Sequence, residues 1–67
     1  MPMNAEFKYK GQEVMIIPSL IGERWRWVLI IDESVFRDLR DRQLGSEELA
    51  LADGRREALR IIDQGLV

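Results

Sequence analysis

The stretch Arg24-Trp25-Arg26-Trp27-Val28-Leu29-Ile30-Ile31 decides how this chain folds. Aromatic and β-branched residues dominate it, and these fit a pleated, half-buried surface. Successive side chains of a strand point to opposite faces, so Trp25, Trp27, Leu29 and Ile31 share one side while Arg24, Arg26, Val28 and Ile30 share the other. A strand at 24–31 that is apolar on both sides needs partner strands beside it and cover above and below.

Upstream, Ala5-Glu6-Phe7-Lys8-Tyr9-Lys10 alternates strictly, with Phe7 and Tyr9 on one side and Glu6, Lys8 and Lys10 on the other, the period-two pattern of a half-buried strand. Gly11-Gln12 supplies a turn, because glycine reaches the positive φ of a tight hairpin. Glu13-Val14-Met15-Ile16-Ile17 continues as a second strand. Pro18 ends that strand or confines it to an edge, since proline has no N–H for a ladder. Ser19-Leu20-Ile21-Gly22-Glu23 then reads as a connecting loop.

Downstream, Asp32-Glu33-Ser34 is a turn, and the segment after it supports two readings. As a helix, Ser34 is its N-cap, Val35, Phe36 and Leu39 share a face, and Arg37/Asp41 and Asp38/Arg42 pair at i,i+4. As a strand, it closes a second hairpin on 24–31 and extends the sheet, which is the simplest continuation after a short turn. Local pattern favours the helix, topology the strand, and the strand is taken here.

A more secure helix opens at Ser46, a good N-cap followed by Glu47 and Glu48 in the first turn, where the helix dipole favours negative charge. Leu51, Gly54, Ala58, Ile61 and Ile62 recur at helical spacing with Ala50 beside them, forming an apolar stripe. Glycine costs about 1 kcal/mol relative to alanine inside a helix, so Gly54 in mid-stripe points to close approach of the helix to the sheet, over a tryptophan. Gly65 stands where a C-terminal glycine stop belongs. The expected fold is therefore α+β: an antiparallel sheet of three or four strands (5–10, 13–17, 24–31 and, on the topological reading, 35–41) packed on one C-terminal helix (47–64). It forms a single domain over 1–67, with no repeats or linkers.

Composition narrows the function. Cysteine and histidine are absent, which removes the best thiol nucleophile, the commonest general base and the usual zinc ligands. Ser19, Ser34 and Ser46 sit at turns and caps, where serine serves the backbone. Asp32/Glu33 and Glu47/Glu48 have ordinary turn and helix-start roles, and no stretch resembles a calcium or phosphate loop. No catalytic, cofactor-binding or metal-binding residue is assigned, and no enzyme is expected. Met1-Pro2-Met3-Asn4 lacks the features of a signal peptide, and the apolar runs are too short to span a bilayer. The absence of disulfides suits a reducing cytoplasm. A net charge of −2 gives no overall attraction to nucleic acid or anionic membrane.

The Arg-Trp-Arg-Trp run invites a nucleic-acid reading in which rings stack on bases and guanidiniums meet phosphates. Alternation opposes it, because the rings and the guanidiniums point to opposite sides. A small RNA- or DNA-binding protein using Arg24 and Arg26 with Arg37, Arg40 and Arg42 remains the alternative to the favoured reading. That reading starts from the sheet being apolar on both faces while one helix covers only one. The second face, carrying Met15, Ile17, Arg24, Arg26, Val28 and Ile30, is the expected interaction surface, for a homodimer or another protein partner, through that face or an edge strand. The competing expectation is that Leu20, Ile21, Phe36, Leu39, Leu66 and Val67 fold over it.

Three strands followed by a helix that begins Ser46-Glu47-Glu48-Leu49-Ala50 and runs on through Arg55-Arg56-Glu57-Ala58-Leu59-Arg60-Ile61-Ile62-Asp63 resemble the small uncharacterised bacterial proteins built as a sheet plus one helix. The chain is also distantly similar to the N-terminal part of HicB-type antitoxins, whose helix opens with a Ser/Thr-x-Glu-Glu-Ala pattern. The Asp-Leu-Pro-Gly segment of those antitoxins has no counterpart, and 67 residues leave no room for a separate DNA-binding domain, so no functional residue carries over.

Overall fold

The computed structural model describes residues 4–38 and 44–67. Its elements follow in the order β1 (Ala5–Tyr9), β2 (Gln12–Ile21), β3 (Arg24–Ile31), β4 (Ser34–Arg37) and α1 (Glu47–Asp63). The strands form one four-stranded antiparallel sheet in sequence order, each joined to the next by a tight turn. The helix packs on one face of this meander, giving the α+β architecture expected.

Three sequence readings are corrected or resolved by the strand pairing. Ser19, Leu20 and Ile21 are not a loop: β2 runs on to Ile21, which pairs with Arg24, and the connection shrinks to Gly22-Glu23. Pro18 does not end the strand either. The pairing of β1 stops at Ala5↔Ile16, so Pro18 lies beyond it with β3 as its strand neighbour, opposite Trp27. There its missing N–H falls on the β1 side of β2, where none of the described residues pairs with it. The segment after Asp32 is a strand over Ser34–Arg37, with Phe36 opposite Leu29 and Val35 opposite Ile30. Pairing with the outer edge of β3 outweighs the local helical pattern. The remainder of that expectation, residues 39–42 with the pairs to Asp41 and Arg42, lies outside the described residues. Trp25 N–H donates to the Leu44 carbonyl at 3.1 Å, which places Leu44 at the edge of β3.

Two of the turns demand left-handed backbone at consecutive residues: Lys10 and Gly11 at φ 50° and 81°, and Asp32 and Glu33 at 48° and 84°. Gly11 suits its place. Asp32 is held by a reciprocal pair of bonds, its N–H donating to the Glu13 carbonyl and its Oδ1 accepting from the Glu13 N–H, both at 3.0 Å. Glu33 has a Cβ where glycine is the favoured residue of a hairpin turn. Glu33→Gly is therefore expected to raise stability by about 1 kcal/mol, the left-handed cost relieved less the added freedom of the unfolded chain. Urea denaturation at a concentration where both forms are monomeric checks this, and a lowered midpoint would contradict it.

The helix is capped as its sequence indicates. Ser46 Oγ accepts from Leu49 N–H at 3.1 Å. At the other end Leu66 N–H reaches the Ile61 carbonyl and Gly65 N–H the Ile62 carbonyl, a left-handed glycine stop with Gly65 at φ 68°. Its buried side, Ala50, Asp53, Gly54, Ala58, Ile61 and Ile62, lies over Val14, Ile16, Trp27, Leu29 and Ile31 of the sheet. A Cβ placed on Gly54 would stand 2.8 Å from Ile16 Cγ2 and 3.3 Å from Trp27 Cγ, so the helix backbone rests directly on the indole. The hairpin β1–β2 is also tied to the last helical turn: Tyr9 Oη donates to Asp63 Oδ1 at 3.0 Å and Lys10 Nζ donates to the same atom at 2.5 Å. The Lys10 ammonium holds the Asp63 carboxyl below its ordinary pKa, and the carboxylate raises that of Lys10.

Candidate functional site: the open face of the sheet

Alternation and register together define the face that the helix leaves bare. Met15 stands opposite Ile30 and Ile17 opposite Val28, with Val35 beyond Ile30 on β4. These five side chains make a contiguous apolar centre. The four on the inner strands are half-buried by one another, and Val35 is 56% exposed. Toward one end of the strands the same face carries Ser19 opposite Arg26 and Ile21 opposite Arg24, with Arg37 opposite Val28 at the β4 edge. The six residues named from sequence thus lie on one face, Met15 and Ile17 across from Ile30 and Val28, with Arg24 and Arg26 further along β3 opposite Ile21 and Ser19.

The other end has the opposite charge. Glu6, Glu13, Asp32 and Glu33, with Lys8 among them, rim a groove of roughly 630 Å³ floored in part by Met15 and Ile30. Asp32 and Glu33 belong to the β3–β4 turn and Glu13 to the start of β2, so the meander itself gathers these carboxylates at one end. Lys8 stands opposite Glu13 across the β1–β2 ladder, where opposite charges support pairing. The open face is therefore polarised along the strands: acidic at the β3–β4 turn, apolar at the middle, and net basic toward the β2–β3 turn, where Arg24 and Arg26 outnumber Glu23.

None of the described residues on this face is aromatic. Trp27 is 4% exposed beneath the helix, and its Nε1 donates to Asp53 Oδ2 at 2.8 Å in the interior. Trp25 also lies on the helix side, pairing with Leu20. Three of the six side chains expected to fold over the bare face lie elsewhere, and Val67 at the C-terminus is 41% exposed. Leu20 and Phe36 alternate onto the helix side, and Leu66 lines a cleft there with Trp27 and Phe36. Ile21 is on the open face but at its basic end and 61% exposed. Leu39 lies outside the described residues.

One arrangement escaped the sequence reading. The helix-side cleft, about 380 Å³, brings Asp38, Asp53, Glu57 and Arg60 beside Trp27 and Phe36, and both aspartates are buried. The available signal was spacing: Asp53 falls three residues after Ala50 on the buried stripe, where a polar residue needs a specific donor, and the indole N–H supplies one. Among the described residues no group of three or more aspartate, glutamate, cysteine or histidine side chains could hold a metal ion. Nor is any described helix long and apolar enough to cross a membrane.

Comparison with protein-family models, with curated proteins and with solved structures finds no match to the chain. The functional reading therefore rests on the geometry of the open face.

Proposed function

We propose that the chain is a non-enzymatic protein-interaction module that buries the open face of its sheet against another polypeptide. The observation that carries this reading is the contiguous apolar centre of Met15, Ile17, Val28, Ile30 and Val35, flanked by charged ends. An apolar patch rimmed by polar residues is the surface pattern of a binding site. A 67-residue domain without disulfides also has reason to gain stability by association. The open face is favoured over an edge strand because β1 is short and alternates with Glu6 and Lys8, and β4 spans only Ser34–Arg37. Short, charged edges discourage strand addition. The nucleic-acid alternative retains the arginines but lacks aromatic rings beside them on which bases would stack.

Sedimentation at micromolar concentration together with an environment-sensitive apolar dye tests the reading. The chain is expected either to associate or to bind the dye. Val28→Asp, which puts a charge at the middle of the face beside Arg37, should abolish whichever is seen while leaving the far-UV circular dichroism unchanged. A monomer that binds no dye would overturn the proposal.

A further inference from the structure

The charge pattern of the open face specifies an occupant. Resting on the interaction reading above, we infer that the face is covered by a second copy of this chain, related by a two-fold axis that lies in the interface and runs across the strands. Such an axis reverses the strand direction of one copy relative to the other. The acidic β3–β4 turn, with Asp32 and Glu33, is then brought over Arg24 and Arg26 of the partner copy, and the reciprocal contact forms at the far end by symmetry. Ile17 and Val28 fall at the middle and pack against their own counterparts.

The alternative two-fold, running along the strands, stacks acid on acid and arginine on arginine. The charged ends decide between the two. From Glu13 to Ile21 along β2 is about 26 Å at the usual rise per residue. That exceeds the screening length of about 8 Å at physiological salt, so each end acts as a separate patch, attractive in one orientation and repulsive in the other. A face whose two ends carry opposite net charge is complementary to itself. The groove at the acidic end supplies space for a long cationic side chain, since Met15 and Ile30 in its floor can cover the alkyl stem while Glu13 and Glu33 stand near the guanidinium. Arg37 lies near the middle row at the β4 edge, where its head can turn outward into water. Two sheets packed in this way would sit about 10 Å apart with strands offset by about 30°, the ordinary geometry of aligned sheets.

The test uses two charge-reversed forms of the whole chain, R24E/R26E and E13K/E33K, followed by sedimentation equilibrium alone and mixed. Wild type should dimerise, with affinity falling as salt rises. Each reversed form alone should associate at least tenfold more weakly, as like charges now face each other, and the equimolar mixture should recover association as a heterodimer. Recovery in the mixture also shows that both variants fold. Self-association of R24E/R26E as tight as that of wild type, as expected where like ends meet like, would place the axis along the strands and overturn the inference, as would a mixture that fails to associate. A wild-type monomer that still binds apolar dye in a Val28-dependent way would overturn the dimer while leaving the interaction reading intact.

Discussion

Trp27→Ala is expected to leave most of the chain unfolded at 25 °C. The indole is 4% exposed and lies between the helix backbone at Gly54 and the sheet, within the cluster formed by Val14, Ile16, Leu29 and Ile31. Truncating a buried tryptophan costs about 3–5 kcal/mol through lost transfer energy and the cavity left behind. A domain of this length has only about 3–10 kcal/mol of stability to lose at typical values per residue. The same substitution removes the N–H that Asp53 accepts inside the protein, which adds to the loss. Trp27→Phe separates the two contributions, because it keeps most of the ring contact and deletes the donor. Urea denaturation followed by circular dichroism should rank wild type above Trp27→Phe above Trp27→Ala. An alanine variant with an unchanged midpoint would remove the indole from its place in the core.

Gly54→Ala is expected to destabilise, against the usual sign of glycine-to-alanine changes in helices. Helix propensity alone favours alanine by about 1 kcal/mol. The new methyl would meet Ile16 Cγ2 at 2.8 Å and the indole at 3.3 Å, however, and neither neighbour has room to yield. Ile16 is fully buried and the indole is anchored to Asp53. Overpacking of a close-packed site costs typically 1–3 kcal/mol, so against the propensity gain a net loss of up to about 2 kcal/mol is expected, read as a lowered denaturation midpoint. Ala52→Gly on the exposed side of the same helix is the control for propensity, and should cost about 1 kcal/mol. A stabilised Gly54→Ala would mean that the helix stands further from the sheet than described.

The two substitutions mark where local information ends. Gly54 was legible as an anomaly, because a glycine in the middle of an apolar helical stripe has a propensity cost that only close packing offsets. Its neighbours were nearly legible, since Trp25 and Trp27 dominate one face of the strongest strand. Which tryptophan lies beneath the glycine depends on how the helix crosses the sheet, and no periodicity contains that. The buried Asp53 shows the same limit: a carboxylate on the stripe is unremarkable until the indole N–H is placed beside it.

The candidate site divides in the same way. That Arg24, Arg26, Val28 and Ile30 share a face follows from the period of a strand, and so does the grouping of Met15 with Ile17. That Met15 meets Ile30 and Ile17 meets Val28 follows from register. Register depended on β2 continuing through Pro18 to Ile21, where the proline, read locally, allowed either a stop or an edge position. Proline breaks a strand only where its N–H is needed, and whether it is needed depends on where β1 ends.

The sequence by itself determined three of the strands and the helix with its caps, the faces of those strands and the surplus of apolar surface on the sheet, because all of these arise from contacts within a few residues. Tertiary structure decided that Ser34–Arg37 is a strand, that the open face is acidic at one end and basic at the other, and that Asp53 serves Trp27. Each of those depends on residues distant in the chain meeting across a ladder or a helix–sheet contact. There the free energy of pairing and burial exceeds the few tenths of a kcal/mol by which local propensities differ.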